Sequence, residues 1–137
     1  LASGRFSLNL NPPNRDEASK AFEQAYEQGQ RKLLLFDLWF EAEYGRGSLE
    51  RALDVATKAL ESVVGEEWQW HERRAHVHIA IAYRAGFKIA RDSALREIDF
   101  AIVELRSARE KSASSIQQQQ ATQLLDQAYR LRKQVVE

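Results

Sequence analysis

The chain has 137 residues, 44% hydrophobic and 29% charged, with twenty Lys+Arg balanced by twenty Asp+Glu. That composition is ordinary for a single globular domain long enough to bury a core without staples. The lack of Cys excludes disulfides, zinc–thiolate sites and cysteine nucleophiles, and zero net charge leaves no global field to draw in nucleic acid or an anionic membrane.

The chain opens Leu1-Ala2-Ser3-Gly4 and contains no Met, so it is expected to be a piece of a longer protein. No run of 18 apolar residues occurs and no apolar core of a leader stands in the first thirty residues, so a cytoplasmic chain is expected. Residues 1–14 are expected to be extended, because Ser7 to Asn11 alternates polar and apolar and Pro12-Pro13 stops a helix. From Asn14 onward there is no proline, and single glycines punctuate the middle of the chain, as in helices joined by short turns.

Asn14 or Asp16 can cap a first helix over 15–28, whose apolar side is Ala18, Ala21, Phe22, Ala25 and Tyr26. Gly29 closes it. A second helix over 30–44 is apolar nearly all round, from Leu33 to Tyr44, and is expected to be the most buried. Gly45-Arg46-Gly47 is a turn, and Ser48 is the expected cap of a third helix over 48–64. Its capping box is incomplete, because Arg51 stands where Glu or Gln is wanted. A fourth helix over 66–86 carries Trp68, Trp70, Ala75, Val77, Ile79, Ala82 and Tyr83. A fifth over 91–111, capped by Asp92 or Ser93, carries Ala94, Leu95, Ile98, Ala101, Ile102 and Leu105. Residues 112–120, with a serine cluster and the run Gln117 to Gln120, are expected to form a mobile connection or a fraying start. A last helix over 116–135 presents Leu124, Leu125, Ala128, Leu131 and Val135 to the protein and polar residues to solvent.

One spacing recurs: Ala, then a residue four on, then Ala three further. It occurs at Ala18-Phe22-Ala25, Ala52-Ala56-Ala59, Ala94-Ile98-Ala101 and, more weakly, Ala121-Leu125-Ala128. Small side chains at i and i+7 share a helix face and let a neighbouring helix approach closely. From Ala18 to Ala52 is 34 residues, and from Ala52 to Ala94 is 42. In this pattern the chain resembles the tetratricopeptide repeat family, whose unit is a 34-residue helix-turn-helix. Leu35 to Leu60, with Gly47 and Leu49 before Ala52, matches best. The longer interval departs by eight residues, as does Phe40 where a small residue is expected, and no unit has the family's closing proline. An unrelated helical bundle in which alanine recurs is the alternative.

The resemblance implies an all-α fold over 15–137: antiparallel helix pairs stacked as a short α-solenoid with a C-terminal capping helix. It also implies a groove lined by the first helix of each pair, at Leu34, Asp37, Glu41 and Tyr44 in one unit and His76, Ile79 and Tyr83 in the next. The expected function is a scaffold or regulatory module that binds a peptide or partner domain. With Asp37 and Glu41 in the groove, that partner is expected to be neutral or basic with apolar anchors. Two alternatives stand beside it. Arg84, Lys88 and Arg91 would share a face if their helix continued, as a phosphate-contacting face of a nucleic-acid-binding domain; a purely architectural or dimerisation module is the other.

No enzyme, cofactor or metal is expected. Phosphate-loop, dinucleotide and nucleophile-elbow motifs are missing from the sequence. Of the three histidines, His71 and His78 share a face with about 10.5 Å of helix axis between them, too far for one ion. His76 belongs to neither spacing, and Glu67 with His71 supplies only two ligands.

Overall fold

The computed structural model describes residues 15–137, with side chains from Glu17 onward. The expected extended segment 1–14, the Asn14 cap and the Asp16 side chain lie outside the described residues. Among the described residues all regular structure is helical: α1 (Arg15–Glu27), α2 (Leu33–Gly45), α3 (Leu49–Ser62), α4 (Glu67–Ala85), α5 (Arg91–Glu110) and α6 (Ser115–Val136). None of them is long and apolar enough to cross a membrane.

The chain divides after Val63 into two compact units of three described helices each. In the first, α2 packs on both α1 and α3; in the second, α5 packs on both α4 and α6. Within each unit the first two helices run antiparallel. Tyr26 meets Phe36 while Ser19 meets Glu43, and His71 meets Glu104 while His78 meets Glu97.

The turns explain why the helices reverse so tightly. Beyond α1, Gln30 N–H donates to Ala25 O and Gly29 N–H to Tyr26 O. Beyond α2, Ser48 N–H donates to Glu43 O and Gly47 N–H to Tyr44 O. Both are Schellman closures, which require a left-handed residue at the turn, and Gly29 (φ 99°) and Gly47 (φ 80°) supply it.

All the recurrent small-residue positions are buried. Ala18, Ala52, Ala56, Ala59, Ala94 and Ala101 have no exposed surface, and Phe22, Ile98, Ala121, Leu125 and Ala128 are nearly or fully enclosed. The same spacing also occurs at Ala75-Ile79-Ala82 on α4, with both alanines buried. It therefore marks helix seams in general and not only the second helix of each pair. Phe22, Leu35, Phe36 and Trp39 fill the first unit; Ile98, Ile102, Leu105 and Leu125 fill the second.

Three local expectations are corrected. Ser48 precedes α3 but makes no side-chain cap bond. Arg51 reaches back instead to Glu43. Helix α5 starts at Arg91, so Asp92 and Ser93 stand within its first turn, and the capping position falls to Ala90. The glutamine run is no loose connection, because α6 begins at Ser115. Ser114 Oγ accepts the Gln117 N–H, and Gln117 Oε1 accepts the Ala113 N–H, so reciprocal capping holds the first turn.

Candidate binding grooves

Helices α4 and α6 flank α5 without closing on each other, and a groove of about 340 Å³ lies between them. Leu105 of α5 forms its floor. Ala75 and Ala128 are too small to fill it from the sides, while Ile79 and Tyr83 of α4 face Leu124 and Leu131 of α6 across it. Its polar lining is His76, Gln127, Arg130 and Gln134, with no carboxylate. Tyr83 is 60% exposed and its ring packs at 4.8 Å on Phe87. His76 is open to solvent, yet the protein mass around it desolvates the imidazolium and lowers its pKa.

The structure thus brings together His76, Ile79 and Tyr83. Leu34, Asp37, Glu41 and Tyr44 share one face of α2. Leu34 and Glu41 are exposed, whereas Asp37 is half-buried and Tyr44 packs on Phe40 at 5.5 Å. None of the four lines the cavity of their own unit. The three cations of the expected phosphate face do not share a helix. Arg84 is on the last turn of α4, Gly86 (φ 88°) ends that helix, Lys88 stands in the turn, and Arg91 begins α5 and donates to Val136 O.

The other two histidines tie α4 to α5. His71 Nδ1 lies 2.7 Å from Glu104, which Arg74 also meets at 3.3 Å, and His78 Nδ1 lies 2.6 Å from Glu97. No group of three metal-ligating residues occurs among the described residues. Glu67 accepts the Gly65 N–H, and backbone donors hold its carboxyl below the ordinary range.

The first unit has a cavity of different character, about 420 Å³, between α1 and α3 with α2 behind. Five carboxylates line it, Glu23, Glu27, Glu43, Glu50 and Asp54, against Arg51 and Lys58, together with Tyr26 and Trp39. Glu43 is fully buried. It accepts from Ser19 at 2.7 Å, Arg46 at 2.9 Å and Arg51 at 2.8 Å, so one carboxylate fastens all three helices. The bond to Glu43 is the main reason the Arg51 pKa is raised. Glu43 escapes a reading by periodicity, because its partners lie 24 and 8 residues away in sequence. The one local clue is Arg46 three residues on from an acid that follows the apolar run of α2.

Comparison with family models, curated proteins and solved structures finds no match to this chain. The resemblance to tetratricopeptide repeats therefore rests on residue pattern and helix pairing alone.

Proposed function

We propose that the chain is a protein-interaction scaffold whose α4–α6 groove holds a peptide or partner helix by apolar anchors. The observation that carries this is an open trough with an apolar floor and facing walls, Leu105 below and Ile79, Leu124 and Leu131 beside it, rimmed by hydrogen-bonding side chains. Such troughs suit segments that bury alternate or helical apolar side chains while their polar edges bond to the rim. With no carboxylate and a single guanidinium in the lining, the seated segment is neutral where it enters. The small-residue seams and antiparallel pairs support a short tetratricopeptide-like array with α6 as its capping helix. The lack of cysteine suits a cytoplasmic setting. The nucleic-acid reading ranks lower, since Arg84, Lys88 and Arg91 stand on a helix end, a turn and a helix start.

Selection of a displayed random-peptide library on the full chain, followed by methyl-resolved NMR, tests the proposal. Enriched peptides should shift the methyl signals of Ile79, Leu124 and Leu131 saturably. Enriched peptides that leave all three in place would refute it.

A further inference from the structure

The α4–α6 groove has a definite length and a definite chemistry, and both narrow its occupant. Along α6 its wall runs from Leu124 to Gln134, about 15 Å of helix at about 1.5 Å per residue. Its floor and sides are apolar, with room left beside Ala75 and Ala128, and its only charged group other than His76 when protonated is Arg130. A fitting segment therefore spans about 15 Å or less, turns apolar side chains to the floor, and brings no cation into a lining without a carboxylate.

The sequence holds such a segment. Phe6, Leu8 and Leu10 alternate with Ser7, Asn9 and Asn11, and no charged residue stands between Arg5 and Arg15. In an extended chain alternate side chains point to one side at about 3.3 Å per residue, so anchors from Phe6 to Leu10 span about 13 Å. The main-chain N–H and C=O groups of a seated segment need partners, and the side-chain amides of Gln127 and Gln134 both donate and accept. Pro12 and Pro13 carry no N–H to satisfy beyond it. The chain as a whole has no net charge, so one copy meets no long-range repulsion from another.

We propose that the α4–α6 groove binds residues 6–11 of a second copy of this chain, which self-associates through that contact. Phe6, Leu8 and Leu10 lie against Leu105, Ile79, Leu124 and Leu131, while Ser7, Asn9 and Asn11 face the rim. This rests on the docking function argued above and names its partner.

The test is a titration of the full chain carrying Leu8→Asp and Leu10→Asp, which disables its own segment, with acetyl-Arg-Phe-Ser-Leu-Asn-Leu-Asn-amide. The methyl signals of Ile79, Leu124 and Leu131 should shift saturably. The same peptide with Leu8→Asp and Leu10→Asp should bind at least about ten-fold more weakly. Sedimentation of the unaltered chain should show its mass rising with concentration. Leu8→Asp with Leu10→Asp should weaken that association about ten-fold or more, as should Tyr83→Ala on the groove wall. Glu110→Lys, at the exposed end of α5, should leave it unchanged. A peptide that leaves the three methyl signals in place, or a chain that stays monomeric at every concentration, would overturn the proposal. If library peptides shift those signals while this peptide does not, self-association fails and the groove's docking function stands.

Discussion

Ser19 of α1 donates its hydroxyl proton to Glu43 of α2 across 2.7 Å, and neither residue is exposed. The same carboxylate receives Arg46 and Arg51, so three helices meet on one buried charge. Removing it would take away the acceptor that Ser19 and the two guanidinium groups share, although Arg51 keeps Glu23. Glu43→Ala is expected to destabilise the first unit by about 1–3 kcal/mol, because the buried Ser19 hydroxyl loses its acceptor while both guanidinium groups keep access to water. Ser19→Ala keeps both arginines on Glu43 and should cost about 1 kcal/mol. Urea unfolding followed by tryptophan fluorescence measures both, and equal effects would contradict the central place given to Glu43.

Glu72 on α4 is buried, and Gln120 donates to it at 3.1 Å. Desolvation raises its pKa above 4.5, against a smaller opposing effect of the Gln120 bond. The folded state therefore holds this proton to higher pH than the unfolded chain. The contribution to stability is fully present below the unfolded value and is lost as pH rises through the folded one. Glu72→Gln should remove that slope and stabilise the protein at pH 7 by less than about 1 kcal/mol. Thermal unfolding across pH 4–8 reads the difference.

His76 gives the opposite sign. Desolvation lowers its pKa below 6.5, so the unfolded chain takes up this proton first as pH falls. Stability is retained above pH 6.5 and lost on acidification below it, until the folded group also titrates. An NMR titration should place its midpoint below 6.5, and His76→Gln should flatten the loss of stability on that acid limb.

The alanine seams predict intolerance of size. Ala94 has no exposed surface and sits in the core of the second unit. Ala94→Leu should destabilise by about 1–3 kcal/mol through overpacking. Ala113→Leu, at an exposed position between α5 and α6, should change stability by no more than about 0.5 kcal/mol. The two melting curves compare them directly.

Much of this architecture is legible in the residues themselves. Ala18, Ala52 and Ala94 announce their seams because a small residue every seventh position has a packing reason. Gly29 and Gly47 announce the turns because few other residues adopt their backbone angles. His76, Ile79 and Tyr83 fall on one wall because helical spacing alone puts them there. Long-range and reciprocal features were not legible. Glu43 depends on Ser19 and Arg51, which only folding brings near. The start of α6 depends on Ser114 and Gln117 acting as a pair, and a polar cluster followed by glutamines masks that signal. The acidic cavity draws its wall from α1 and α3, so no single stretch of sequence displays it.

The claim that the α4–α6 groove is a docking surface is met most directly by site-specific photo-crosslinking in the cell. A benzophenone side chain placed at Gln127, on the groove wall, should give one discrete adduct that Tyr83→Ala abolishes. The same group at Glu110, exposed at the end of α5, should not give it. Identical adducts from both positions, or an adduct at Gln127 that survives Tyr83→Ala, would contradict the account.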